Sequence, residues 1–251
     1  MKTIIYHDHD QILSGMTMKD CNEPECYNMA LHACTSAEQV IGNRKLLASF
    51  LQSKPEDFVF ANQTHSANFH RVTDLDRGKG VFEQESALVD TDALYTFEPN
   101  IVLCSMTADC VPVIFHADEL IGVIHSGWQG TVKEITPKLL RHLREVESCD
   151  LRHMHVQIGA ALSQEKFEVD EDVFKKFHSL GYAEEFIRYN EATNKYHIDN
   201  QLTVKRQCEL AGIPAANITI DRTCTFQSPD GFSYREDKQA GRHVSFIKRN
   251  V

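Results

Sequence analysis

The sequence has no apolar run approaching the ~20 residues that a membrane-spanning helix needs. Its first residues, MKTIIYHDHDQILSGM, are broken by polar side chains and lack the apolar core of a secretory signal, so a cytoplasmic protein is expected. There is no Gly/Ser linker, no internal repeat and no low-complexity segment, which favours one domain over residues 1–251. Positive charge is scarce: 26 Lys and Arg stand against 36 Asp and Glu, a formal net charge of -10. Proteins that neutralise phosphate backbones or acidic membranes carry basic patches, so neither nucleic acid nor membrane is the expected partner. A small anion held by one or two arginines remains compatible with that balance.

Cysteine is present eight times but never as C-x-x-C, which argues against zinc-ribbon and thioredoxin-type sites. In a cytoplasmic chain these residues are expected as reduced thiols. Histidine is abundant at 13 residues, which justifies looking for a ligand set. His-x-His occurs at His7/His9 and at His153/His155, in both cases reading as alternating positions of a strand.

Strand and helix signals interleave along the chain. TSAEQVIGNRKLLASFLQ reads as a helix with Ser36 and Gln39 as a capping box and Val40, Leu47 and Leu51 on one face. GTVKEITPKLLRHLREV carries helical spacing at Ile135, Leu139, Leu143 and Val146, with Pro137 awkward inside it. DNQLTVKRQCELAGIP reads as a helix from the cap Asp199 to the stop signal Gly212 and Pro214. Several strand pairs read as hairpins, so a mixed sheet with helices packed on it is expected, not a purely parallel one.

The segment TADCVPVIFHADELIGVIHSGWQG carries the chemistry. A two-residue turn at Ala117-Asp118, the commonest hairpin length, sets Cys110 directly opposite His125. Opposed residues share a face with Cβ atoms about 4.5–5.5 Å apart, a separation that a bound cation can bridge. Asp109 adjoins Cys110, and His65 lies in a loop where a third ligand can approach. Two imidazoles and one thiolate leave one position of a tetrahedral zinc open, which is the catalytic pattern. Without metal, the same Cys110–His125 pair is a thiolate nucleophile with its base. The spacing is equally compatible with both.

NQTHS, DTDALYT, TADCVPVIF, HSGWQG and FSYREDKQAGR, in that order, resemble the signature segments of the YfiH family. These are the laccase-domain proteins, first described as multicopper polyphenol oxidases and later as purine nucleoside phosphorylases with adenosine deaminase activity. The resemblance spans roughly residues 28 to 247 and implies an α/β sandwich of mixed β-sheets with packed helices, related to the cytotoxic necrotizing factor deamidase fold. It implies His65, Cys110 and His125 as metal ligands, with zinc as the cofactor and copper as the alternative. It further implies adenosine, inosine, guanosine, methylthioadenosine and phosphate as small-molecule partners.

Asn28 is then a candidate for binding the nucleoside, Arg44 and Arg235 for binding phosphate through their bidentate forks, and Asp109 for proton transfer. The chain departs from the family pattern at Ser126 and Gln129, where the family has Ala and Arg, and at Glu236 in place of a second Arg. It also lacks the H-x-E…P-C-x-x-C signature of the usual zinc deaminases. Two other readings stand beside the phosphorylase: a cysteine hydrolase or amidase acting through Cys110 and His125, and a copper-dependent polyphenol oxidase.

Overall fold

The computed structural model describes residues 1–9 and 11–251. Two mixed sheets pack face to face. The first is five-stranded and runs β1 (Lys2–His9), β2 (Ile12–Met18), β14 (His243–Arg249), β6 (Val102–Thr107), β3 (Phe58–Val59). The second is six-stranded and runs β13 (Ile218–Ile220), β9 (His155–Ile158), β7 (Val111–Ala117), β8 (Leu120–Ser126), β5 (Ala93–Thr96), β4 (Phe69–Arg71). Parallel pairs β3–β6, β4–β5 and β9–β13 sit among antiparallel ones, so both sheets are mixed as expected.

Three apolar layers hold the sandwich together. Leu103 and Ile247 from the first sheet meet Ile114, Ile121 and Val123 from the second. Helix α1 (Ala37–Phe50) covers the outer face of the first sheet through Leu47, Ala48 and the following Leu51. Helices α3 (Ile135–Glu145) and α5 (Asn200–Ala211) cover the outer face of the second through Leu139, Leu143 and Val204. Each such aliphatic side chain contributes about 1.5–3 kcal/mol by leaving water, so β7 and β8, buried on both faces, are a rigid platform.

A third, small sheet of β10 (Glu168–Val169), β12 (Lys195–Ile198) and β11 (Ile187–Asn190) carries helix α4 (Glu171–His178). Its own apolar cluster, around Phe167, Phe177 and Ile198, packs against Trp128.

The helix signals hold with informative exceptions. Ser36 caps α1 by accepting from Gln39 N, and Asp199 caps α5 by accepting from Leu202 N at 2.9 Å. The segment around Pro137 is two helices, α2 (Trp128–Val132) and α3, divided where Glu134 takes a φ of 59°. Pro137 falls in the first turn of α3, where no intrahelical N–H bond is lost, and its awkwardness disappears. Val146, expected on the apolar face, lies just past the helix and is exposed. His7 and His9 lie on β1, and His155 begins β9, whereas His153 sits in the turn before it.

Candidate metal centre and its pocket

The β7–β8 hairpin pairs residues whose numbers sum to 237, with Pro112 opposite His125 and Ala117 opposite Leu120. The turn is therefore Asp118-Glu119, one residue later than the sequence suggests, and Cys110 is not the cross-strand partner of His125. Two side chains decide this. Asp118 takes a φ of 49°, a conformation Asp tolerates better than most residues. Phe115 lies over Gly122, where any Cβ would stand 2.0 Å from the ring.

The displacement moves every partner by two residues, and strands alternate faces with period two. Cys110 therefore keeps the same face as His125 while standing one diagonal step further out. By the same register it projects opposite Gly127. A Cβ at Gly127 would lie 2.6 Å from His65 Cδ2 and 2.8 Å from Cys110 Sγ. The glycine is what leaves room for the three side chains to meet.

They do meet. The ligand atoms of His65, Cys110 and His125 all lie within 4.8 Å of one another, and Cys110 Sγ is 3.6 Å from His65 Nε2. Ligands on a tetrahedral zinc stand about 3.3–3.8 Å apart, so closure needs a shift of about 1 Å. The donor set, one sulfur and two imidazole nitrogens, suits zinc or copper and not a hard cation. These residues fit the metal that the family resemblance implies.

Asp92 organises the cluster, and reading the sequence did not find it. Its carboxylate accepts from His125 Nδ1 at 2.7 Å, which leaves Nε2 as the His125 nitrogen for an ion. It also accepts from the backbone N–H groups of Thr64, His65 and Ser66 and from Ser66 Oγ. Those bonds hold His65 at a φ of 59°, a left-handed conformation that an unaided histidine rarely takes. Burial would raise the Asp92 carboxyl, but His125 and Ser66 outweigh it and keep it well below the usual carboxylate range.

The electrostatics of Cys110 and His125 are reciprocal. Burial pushes the Cys110 thiol up, yet His125 and His65 beside it bring it below its ordinary value. Burial pushes the His125 imidazole down, and Cys110 with Asp92 more than reverse this. The pair is thus a thiolate beside an imidazolium when no cation intervenes.

The cluster forms the floor of a cavity of about 810 Å³, walled by His32, Gln129, Trp128, Phe167, Arg235 and Arg242. Arg235 is exposed; its backbone N–H donates to Asp109 and its Nη1 to the Glu168 carbonyl.

Three expected assignments change. Arg44 lies on the buried face of α1, outside the cavity. Its guanidinium donates to the carbonyls of Met29, Gly80 and Val81 and stacks 4.0 Å over Phe60, so it fastens loops and its donors are turned away from the cavity. Asn28 is likewise buried outside the cavity. Its Oδ1 accepts from Ala30 N and Arg242 N, and its Nδ2 donates to Ala33 O, so its amide is engaged by backbone and positions Arg242. Asp109 does line the cavity, but Thr225 Oγ1, Ser233 Oγ and Arg235 N all donate to its carboxylate. It ties together the loops around the cavity, and a role in carrying protons does not suit a carboxylate so engaged. Arg242, in the segment just before β14, does line the cavity wall.

The model of the multi-copper polyphenol oxidoreductase laccase family matches residues 18–250. The purine nucleoside phosphorylase YlmD of Bacillus subtilis is 32% identical over 248 residues, covering 96% of this chain and 89% of that protein. The purine nucleoside phosphorylase of Bacteroides thetaiotaomicron is 32% identical over 226 residues, covering 88% of this chain and 84% of its own. Among solved structures, YfiH of Bacillus licheniformis superposes with a TM-score of 0.93 at 31% identity, over 99% of this chain and 97% of that one. YlmD of Geobacillus stearothermophilus follows the same course, with a TM-score of 0.90 at 28% identity over 96% and 93% of the two chains.

Proposed function

Because the chain belongs to the multi-copper polyphenol oxidoreductase laccase family, and because relatives covering nearly its whole length are named purine nucleoside phosphorylases, we propose that it is a zinc-dependent purine nucleoside phosphorylase that also deaminates adenosine. The observation that carries this reading is the cavity of about 810 Å³ opening directly onto His65, Cys110 and His125, with Arg235, Arg242 and the rings of Trp128, Phe167 and Tyr234 on its walls. That volume suits a small ligand. The wall chemistry suits one with a planar base and an anionic partner.

In phosphorolysis an oxygen of inorganic phosphate bonds to ribose C1′ as the C1′–N9 bond breaks, and the purine leaves with a proton. Arg235 and Arg242 are the residues to hold that phosphate, since a guanidinium presents a planar fork of donors to its oxygens. Trp128 and Phe167 offer faces on which a purine can stack. His32, held neutral by burial and by the Arg242 charge, offers one donor and one acceptor to the purine edge. Asp109 holds the Arg235 backbone in place, and Asn28 does the same for Arg242. A zinc ion held by His65, Cys110 and His125 would supply Lewis acidity at neutral pH. Deamination, with water as the second reactant and ammonia as the product, would draw on the same floor of the cavity.

Incubation with adenosine and phosphate, followed by chromatography, tests both activities. Adenine that depends on phosphate reports phosphorolysis, and inosine formed without phosphate reports deamination. Absence of adenine, inosine and hypoxanthine at high enzyme concentration would reject the reading.

A further inference from the structure

Two cysteines outside the metal centre also meet. Soon after β2 the chain makes a short loop, CNEPEC at residues 21–26. Asp20 N donates to the Cys26 carbonyl at 2.9 Å and Glu23 N to the Asp20 carbonyl at 3.0 Å, so the loop doubles back on its own start. The Cys21 and Cys26 side chains are in hydrogen-bond contact, which together with burial pushes the Cys26 thiol up. Cys21 is exposed and Cys26 half-buried. A second cavity, of about 470 Å³, opens over Cys26 and is lined also by Thr35, Gln39 and Gly241. A small thiol or disulfide can reach the pair from solvent.

The backbone at this loop is strained. Glu25, Cys26 and Tyr27 take φ of 53°, 52° and 67°, three left-handed residues in succession. L-residues visit that region singly, so such a run persists only where its surroundings impose it. Thr35 N and Ser36 N donate to the Glu25 carboxylate at 2.9 and 2.7 Å and fix one end. At the other end stands Asn28, whose Oδ1 accepts from Arg242 N at 2.8 Å, while Met29 N donates to the Arg242 carbonyl at 3.1 Å. That junction has no slack, since a Cβ at Gly241 would lie 2.7 Å from Asn28 Cγ. Movement of the strained run is therefore passed to Arg242 on the wall of the main cavity.

We infer that Cys21 and Cys26 form a reversible disulfide, made by exchange with a small disulfide of the glutathione class, and that its closure weakens phosphate binding by displacing Arg242. In the exchange Cys21, deprotonated and exposed, attacks one sulfur of the small disulfide and releases the first small thiol. Cys26 then gives its proton to water and attacks the Cys21 sulfur, releasing the second. The two protein thiols lose two electrons, and the small disulfide gains them as two thiols. An S–S bond is about 2.0 Å long, well inside hydrogen-bond contact, so closure draws Cys26 toward Cys21 and pulls on residues 27–28. The effect on phosphate rests on the phosphorylase reading; the disulfide and the displacement of Arg242 do not.

The zinc-loaded full chain is equilibrated with oxidised glutathione, digested, and mapped by mass spectrometry with fragmentation. A Cys21–Cys26 link is expected, reversed by a dithiol reductant. Oxidation is expected to raise the KM for phosphate about fivefold in the parent, the worth of about one hydrogen bond, and to leave it unchanged in Cys26→Ser. Oxidation of Cys110 would affect both chains alike, so the comparison separates the two events. Amide NMR of the unmutated chain gives a readout that needs neither turnover nor a variant: the signals of residues 28, 241 and 242 are expected to shift on oxidation and return on reduction. Those shifts support the inference even in a chain that shows no phosphorolysis. Glutathione left on Cys21 without the link, a link made to Cys34 instead, or a Cys21–Cys26 link that leaves those amide signals in place would overturn it. An unchanged KM in an oxidised chain that does phosphorolyse would do the same.

Discussion

Asp92 grips His125 and the His65 loop with the same carboxylate: His125 Nδ1 donates to Oδ1 at 2.7 Å, and His65 N donates to that oxygen at 3.1 Å. One side chain therefore sets both the tautomer of one imidazole and the backbone that presents the other. Asp92→Asn keeps the size but turns an amide donor toward backbone N–H groups. Zinc affinity is expected to fall about 10–100-fold, as for other partners of metal-ligating histidines. Competition with a chromophoric chelator measures it, and unchanged affinity would remove Asp92 from its organising role.

Gly127→Ala should abolish convergence without abolishing the fold. The added methyl would press on His65 and Cys110 within 3 Å. An overpacked site of this kind costs about 1–3 kcal/mol. The expected result is a folded protein by circular dichroism with sub-stoichiometric zinc and little turnover.

Arg44 and Arg242 should separate cleanly. Arg44→Met orphans carbonyls of Met29, Gly80 and Val81 and is expected to destabilise the chain by about 3 kcal/mol or more, leaving the KM for phosphate unaltered in protein that remains folded. Arg242→Gln is expected to raise that KM about tenfold or more. Urea unfolding and initial rates at varied phosphate distinguish the two, and a shared KM effect would return Arg44 to the phosphate site.

His243 makes stability depend on acid. It is fully buried, its Nε2 accepting from Phe232 N at 2.7 Å and its Nδ1 donating to Thr17 O at 2.8 Å. Protonation would place a second donor against the Phe232 N–H. Burial lowers its pKa from 6.5 to about 4. A lowered folded-state value means that the contribution is complete above about pH 6.5 and drains away as pH falls toward 4, about 3 kcal/mol in all. Urea midpoints between pH 7.5 and 4.5 should therefore fall more steeply in the parent than in His243→Gln. Parallel slopes would count against it.

Chelation divides metal-assisted chemistry from a bare thiolate. Exhaustive treatment with a strong chelator should abolish nucleoside turnover, and stoichiometric zinc should restore it. Turnover that survives chelation but fails in Cys110→Ala would instead favour the cysteine hydrolase.

The hairpin shows how far the sequence was legible. The continuous apolar runs VPVIFH and LIGVIH made two buried strands and a short turn readable, but the turn falls one residue later than expected because Ala117-Asp118 and Asp118-Glu119 look alike locally. The choice between them comes from Phe115 covering Gly122, a contact across the strands. The error did not misplace Cys110, since a two-residue shift preserves the face. Arg44 and Asn28 misled for a related reason: an arginine or asparagine engaged by backbone carbonyls and amides has the same letter as one facing a ligand. Asp92 escaped notice because its partners, residues 64–66 and His125, are joined only by folding.

The sequence by itself determined the kinds of element, the mixed sheets, and the candidate donors at positions 65, 110 and 125, because periodicity and side-chain chemistry are local properties. Which polar groups face the cavity was decided only in three dimensions. Segments from distant parts of the chain meet there, and most buried donors and acceptors are claimed by whatever backbone the packing brings near.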